Sequence, residues 1–409
     1  MNSYYEKGVQ LFNLNRYKEA SKYLKDSLTE TPNDFYAQYY LALCFHHLDE
    51  FDNLKQIAIA LVGQYPDSDE AHYLLSIYYL SIDNIDKAYE YINSAISLDS
   101  YEATYFGYKS LILIQKKEYT KALNTANQGL SIDAKNTLCL NTRTKALTKL
   151  QRKEDAFETL QNTLQNNPED YFTRANAGWT NLELGNYKIA KVHFQEALQK
   201  DPNNEYAKEG MLEAIKAKNI VYRSFLKYSF WMEKKSSKYQ WGIFISLYLL
   251  YRFSTKLSSE FGFSFMIPII ALLYFSFVLG SWIITPVSNA ILLSDTYSKY
   301  LLNNKDKNAA YSFILLFSIA ILSIFVYYYF NTPHLLFFVI ATFSSIIPIT
   351  HSIQKSSISI KNIGFLYGLI IFAIGIFNLI FSLNISILVP IIMFVAYTWL
   401  QSLIKPQND

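Results

Sequence analysis

A 34-residue period governs the first half of this chain. Six units follow one another without a gap: 1–34, 35–68, 69–102, 103–136, 137–170 and 171–204. A unit that short cannot bury its apolar stripe by itself, so it must stack on its neighbours, and stacking at a fixed period builds a solenoid. The sixth unit shows the pattern most clearly, with Gly178, Gly185, Tyr187, Ala190, Phe194, Ala197 and Pro202 at unit positions 8, 15, 17, 20, 24, 27 and 32. The first unit matches it with Gly8, Phe12, Tyr17, Ala20, Leu24, Ser27 and Pro32. Other units keep the frame, as with Leu41, Ala42, Phe51, Leu54 and Pro66, then Leu75, Tyr79, Ala88 and Ile92, then Leu113, Tyr119, Ala122 and Gly129. The fifth keeps Leu147, Ala156, Leu160 and Pro168 but carries Arg143 and Thr144 where an apolar and a small residue are usual.

The spacing predicts two antiparallel helices per unit. Small residues at positions 8 and 20 let the helices cross closely, and the large residue at 24 is expected to fill the gap to the next unit. Proline near position 32 ends the second helix, because it lacks an N–H and disfavours a helical residue before it. Asn or Asp at positions 33–34, as in Asn33-Asp34 and Asn203-Asn204, can then cap the next helix.

This pattern resembles the tetratricopeptide repeat family over half of the chain. The resemblance implies an all-α fold: a right-handed α-solenoid of six helix-pair repeats with a concave groove lined by the first helix of each unit. Such a groove usually holds an extended peptide or a partner helix. Carried over to this sequence, groove positions include Tyr5, Tyr36, Tyr39, Tyr73, Ile77, Leu111, Phe172 and Trp179. Exposed aromatic and aliphatic surface of this kind marks a partner site. Packing of these side chains against each other in a tightly wound solenoid is the competing reading, since the chain holds 34 Tyr in all. The resemblance does not extend to the carboxylate-clamp subclass, which needs Lys, Asn and basic residues where this chain has Tyr5, Val9, Glu70 and Leu74. Arg143, Lys145, Lys149 and Arg174 read as a solvated basic face, and His46-His47 lacks the further ligands a metal site needs.

The second half has a different character. Residues 1–204 carry 21 Lys and Arg against 26 Asp and Glu, whereas residues 205–409 carry 16 against 8 and contain charge-free runs of 34, 47 and 43 residues. Runs of that length predict a transmembrane bundle over 239–404. Segment 239–257 is expected to give one span and 261–294 a second. The run 308–354, broken at Asn331-Thr332-Pro333-His334, gives two more, and 362–404, broken near Ser382 to Ser386, another two. The count is about six. Placing the N-terminus inside puts 13 Lys and Arg in the inner loops, including the short tail 405–409, and two, Arg252 and Lys256, in the outer ones. That asymmetry is the positive-inside pattern. Met1 to Asn15 lacks a signal-peptide pattern, in agreement with a cytoplasmic solenoid.

Between the halves lies a connector, 205–238. Residues 205–218 read as a helix capping the solenoid. Beyond it, Tyr222, Phe225, Leu226, Phe230 and Trp231 recur at helical spacing among cations. This basic amphipathic segment is expected at the bilayer interface, with Arg223, Lys227, Trp231, Lys234, Lys235, Lys238 and Trp241 as the contact residues. Packing against the solenoid without lipid contact is the alternative. The segment resembles the linkers of bacterial repeat proteins with membrane tails, and an Asn-, Lys-, Ile- and Tyr-rich composition fits an AT-rich bacterial genome.

No nucleophile–base pair, metal-ligand spacing or phosphate loop stands out, so no enzyme activity, cofactor or small-molecule substrate is implied. The acidic balance of the first half disfavours nucleic acid. The two cysteines, Cys44 and Cys139, lie about three repeats apart and read as buried, unbridged apolar residues. Asn378 is the main polar side chain inside a predicted span and is read as an interhelical hydrogen-bond partner. The leading expectation is a membrane-tethered scaffold in the bacterial inner membrane that binds a protein or peptide in its cytoplasmic groove. The alternative is a membrane enzyme or transporter regulated by its solenoid.

Overall fold

The structure is a computed structural model that describes residues 3–166, 168, 170–293, 302–354 and 358–403, apart from some side chains in the apolar helices. The predicted tail 405–409 lies outside the described residues. The chain divides into two compact units, Met1–Asn204 and Glu205–Gln407.

In the first unit the 34-residue period becomes a helical register. The first helix of each repeat is α1 (Ser3–Asn13), α3 (Phe35–His47), α5 (Asp69–Ser81), α7 (Ala103–Gln115), α9 (Thr137–Lys149) and α11 (Tyr171–Glu183). The second helices are α2 (Tyr17–Glu30), α4 (Phe51–Gln64), α6 (Ile85–Leu98), α8 (Tyr119–Ile132), α10 (Lys153–Asn166) and α12 (Tyr187–Lys200). The turn inside each repeat closes in one way. Unit position 15 takes a left-handed conformation at Asn15, Asp49, Asp83, Lys117, Gln151 and Gly185. The following N–H then reaches back to the first helix, as in Arg16 N to Leu11 O at 2.9 Å and Asn186 N to Asn181 O at 2.7 Å. This is the Schellman closure, which satisfies carbonyls left open at a helix end.

The turn between repeats is set by side-chain capping. At unit position 34, Asp34, Ser68, Glu102, Asn136 and Asp170 each accept a hydrogen bond from a backbone N–H in the first turn of the next helix. Such caps contribute about 1 kcal/mol each. The position-34 expectation is therefore met, and it extends to Ser and Glu.

Packing within a repeat differs from expectation at one point. A Cβ placed on Gly178 would lie 2.5 Å from the Phe194 ring, and one on Gly8 would lie 2.7 Å from Leu24 Cγ. The bulky residue at position 24 thus sits over the small residue at position 8 of its own repeat, where the sequence reading sent it toward the next unit. A continuous apolar core runs from Leu11 in repeat one to Ile112 in repeat four. Cys44 and Cys139 lie buried as free thiols, and burial raises both to about 12, so neither is a ready nucleophile.

The second unit begins with α13 (Glu205–Lys216) and α14 (Ile220–Glu233). Helix α13, read from the sequence as a cap on the solenoid, groups with this second unit: Leu212 clusters with Leu292 and Leu302. The Tyr222 hydroxyl donates to Glu213 Oε2 at 2.5 Å and joins α14 to α13. Among the described residues, six α-helices follow: α15 (Ser237–Glu260), α16 (Ile267–Leu293), α17 (Asn304–Phe330), α18 (Pro333–Gln354), α19 (Ile358–Phe381) and α20 (Leu388–Leu403). Both predicted breaks appear. Left-handed Asn331 ends α17 and Pro333 opens α18, while left-handed Ser382 follows α19.

Among the described residues three segments are long and apolar enough to cross a bilayer: Asn304–Phe330, Pro333–Gln354 and Ile363–Phe381. Ile283–Leu293 and Leu388–Thr398 are shorter apolar helices. The centre of this packing is α18 against α19. Gly368 lets the backbones close, since a Cβ there would stand 2.5 Å from Ile349 Cγ1 and 3.1 Å from Ile349 N. A small residue at a helix contact lets the two backbones approach closely.

Candidate partner-binding groove and apolar outer surface

The first helices carry the groove candidates, and the structure divides them. Tyr36 and Phe172 are well exposed, at 54% and 45%. Tyr5, Tyr39, Tyr73, Leu111 and Trp179 are half-buried. Ile77 is 3% exposed and belongs to the core, so it offers nothing to a partner and corrects the sequence reading. Self-packing explains much of the rest. Tyr5 meets the Tyr40 ring edge-on at 6.3 Å, Tyr73 lies 5.0 Å from Tyr105 and 5.2 Å from Tyr108, and Trp179 stands edge-on to Phe194 at 5.7 Å.

Carboxylates accompany these rings. Tyr105 donates to Asp69 Oδ2 at 2.7 Å across one repeat. Burial, followed by neighbouring Tyr73 and Tyr40 and by the charges of Glu70 and Glu102, raises the Tyr39 phenol far above its ordinary value. Burial and then a hydrogen bond with Asp69 raise the Glu70 carboxyl. The middle of the solenoid therefore presents tyrosine hydroxyls and carboxylates together.

Two features escaped the sequence. Tyr17 stacks on His47 with ring centroids 4.0 Å apart, and its hydroxyl donates to Asn15 Oδ1. Burial, followed by the nearby Tyr171 phenol of repeat six, raises the Tyr17 hydroxyl above its ordinary value. Repeats one and six thus come near one another at these phenols, and no spacing rule announces that, because it depends on the summed curvature of the repeats between them. The second feature is the fate of the basic residues in repeats five and six. Lys149 pairs with Glu183 at 3.1 Å with both side chains under 10% exposed. Arg174 pairs with Glu196 at 2.6 Å, and Arg143 donates to Thr159 Oγ1 at 2.6 Å. The expected solvated basic face is largely consumed by internal partners. His46 bonds Ser81 Oγ at 3.1 Å, and the described residues contain no group of three or more metal-ligating side chains.

In the second unit Lys227, Trp231 and Lys238 are exposed, while Arg223, Lys234 and Lys235 are half-buried. Lys235 Nζ lies 5.2 Å over the Trp231 ring, a cation–π contact. The Trp241 side chain lies outside the described residues. Tyr222 and Leu226 are buried, so the apolar face expected to meet lipid is partly used within the unit. Farther along, large apolar side chains stand on the outside of α17 and α19: Leu315, Leu322, Phe325, Leu366, Phe377 and Ile380 are all more than half exposed. Tyr328 and Tyr329, at 89% and 81% exposure, end α17 where an aromatic belt would sit. Asn378, 1% exposed, bonds His334 Nδ1 at 2.9 Å, so it makes the interhelical contact read from the sequence.

Repeat register, glycine crossings and caps define a tetratricopeptide-type solenoid. Comparison with known proteins agrees: tetratricopeptide repeat family models match residues 5–53 and 69–101, and the chain carries these repeats. A BBSome complex member, BBS4, from Bos taurus is 25% identical over 160 residues, covering 35% of this chain and 31% of that protein. The match thus spans about a third of that relative's length. Among solved structures, an APC/C hetero-tetramer, Cut9–Hcn1, aligns over 52% of this chain and 42% of its own at 20% identity and a TM-score of 0.43. The pilF protein of Pseudomonas aeruginosa aligns over 51% and 94% at 13% identity and 0.38. YrrB, described as a repeat protein with an unusual peptide-binding site, aligns over 46% and 96% at 14% identity and 0.30.

Proposed function

We propose that this chain is a membrane-tethered interaction scaffold. Its second unit anchors in the bacterial inner membrane through about six spans, with both termini in the cytoplasm. Its repeats hold a protein or peptide partner there, along the surface between Tyr36 and Phe172. The observation that carries the anchor is the exposed apolar surface of α17 and α19. Soluble monomers rarely leave more than a few hundred Å² of contiguous apolar surface in water. The partner reading is supported by the repeat class and by exposed Tyr36 and Phe172 on the first helices. The cavity lined by Ile283, Phe313, Phe317, Phe343 and Phe394 is apolar, with Ser344 as its hydroxyl, and lends nothing to a transporter or enzyme reading.

Two experiments test it on the full chain in its native membrane. Alkaline carbonate washing should leave the protein in the pellet; release into the supernatant would remove the anchor. A photo-crosslinking residue at position 36 and another at 172 should capture the same polypeptide. Capture no greater than from exposed Lys18 would refute the groove.

A further inference from the structure

A cavity of about 620 Å³ opens where α13 and α14 meet α16. That size lies within the range of specific small-molecule sites. One side is apolar and belongs to the helix that leads into the bundle, with Ile284, Val287 and Ile291. The other side carries Lys216, Lys218 and Tyr222. Lys216 is almost wholly buried, with its Nζ 3.2 Å from Glu213 and 5.6 Å above the Tyr222 ring. A lysine kept that deep needs compensation, and the single carboxylate of Glu213, which also accepts from Tyr222, is shared. Lys218 is exposed beside it and adds a cation outside that balance.

A ligand that fits must join an anionic group to a hydrocarbon body. We propose that this cavity binds one anionic glycerophospholipid, its phosphate facing Lys216 and Lys218 and its acyl chain lying along Val287 and Ile291. Basic pockets beside membrane helices are the physical setting in which acidic headgroups are held. The site rests on the membrane reading of the second unit but is separate from the exposed cations of α14, which meet lipid only as a surface. It would fix the depth and tilt of α14, the last helix before the apolar tail.

The test uses the full chain in a mild neutral detergent, with lipids retained by each protein counted by native mass spectrometry. The probes are a phosphatidylglycerol and a phosphatidylcholine with identical acyl chains. The wild type should keep one phosphatidylglycerol at least tenfold more tightly than phosphatidylcholine. Lys218→Glu changes an exposed side chain, so folding is retained, and it should weaken phosphatidylglycerol about fivefold or more while leaving phosphatidylcholine unaffected. Val287→Trp fills the apolar side and should abolish retention of both. Equal retention of the two lipids by the wild type, or unchanged retention in Lys218→Glu, would overturn the proposal. Glycerol 3-phosphate, which has the charge without the chain, should not displace the lipid; displacement would mean a free-phosphate site and would also overturn it. Loss of the protein from the membrane under carbonate would defeat the anchor, whereas unchanged lipid retention in a protein that stays membrane-bound defeats the pocket alone.

Discussion

Repeats one to four and repeats five and six share one backbone register and fill it with different chemistry. The earlier four are joined by a single apolar cluster in which Leu24, Leu54, Leu61, Leu74, Ile92 and Ile112 are fully buried. The later two bury Asn141, Thr142, Thr144, Thr148, Thr159, Thr163, Thr173, Thr180 and Asn181. Many of those threonines bond a carbonyl four residues back, as Thr144 does to Leu140 O and Thr163 to Thr159 O. Contact between repeats five and six then includes polar links, Asn141 Nδ2 to Thr173 Oγ1 at 3.2 Å and Lys149 with Glu183. The difference teaches that the helical frame tolerates either filling. Apolar contacts stabilise roughly in proportion to area, whereas buried polar pairs stabilise only while complete.

The largest effect should come from breaking the buried pair. Lys149→Met removes one partner of a buried ion pair and is expected to cost about 3–5 kcal/mol, read as a lower urea midpoint by ellipticity. Replacing both by Met should restore most of that loss; equal damage in the double variant would mean the pair itself is the stabilising element. Next comes Leu54→Ala in the apolar half, expected to cost about 3 kcal/mol from lost transfer energy and the cavity left behind. Gly178→Ala pushes a methyl against the Phe194 ring and should cost about 2 kcal/mol. Gly63→Ala, with nothing within 4 Å of the added carbon, should instead stabilise α4 by about 0.5–1 kcal/mol. Gln151→Gly relieves a left-handed side-chain residue at φ 63° and should raise stability by about 1 kcal/mol. A loss there would show that the side chain contributes more than its strain.

A separate handle is acid sensitivity in repeat two. Burial lowers His46 and His47 below the ordinary 6.5, and His47, helped by its neighbour His46, falls to about 4. The unfolded chain therefore binds protons that the folded one refuses between those values. Stability is complete above pH 6.5 and declines as the pH falls from there toward 4. The thermal midpoint should drop across that window in the wild type and drop less in His47→Phe; identical profiles would remove the histidine from the account. Hydrogen exchange across the whole chain adds a check on the main contrast, with α9 to α11 expected to exchange faster than α3 to α7.

Much of the fold was legible because it is local and repeated. Pro66 and Pro202 at unit position 32, and capping Asp34 and Asp170, each act within a few residues, whereas Phe194 over Gly178 of its own repeat was not read from the spacing. The helix breaks at Pro333 and Ser382 were visible for the same reason. The candidate groove was less so. A family position names a face but not its depth, and Ile77, placed on the groove by the family resemblance, is core because neighbouring repeats close over it. Arg174 and Lys149 looked like free cations until their carboxylates arrived from Glu196, 22 residues on, and Glu183, 34 residues on.

Sequence alone determined the period, the two helices per repeat, their caps and the apolar segments of the tail, because each follows from steric and hydrogen-bonding rules acting over a few residues. Only tertiary structure decided which tyrosines stay exposed, that Tyr17 comes near Tyr171, and that α13 groups with Leu292 and Leu302 of the second unit. Those outcomes depend on how small rotations between successive helices add up, and that sum is not written at any single position.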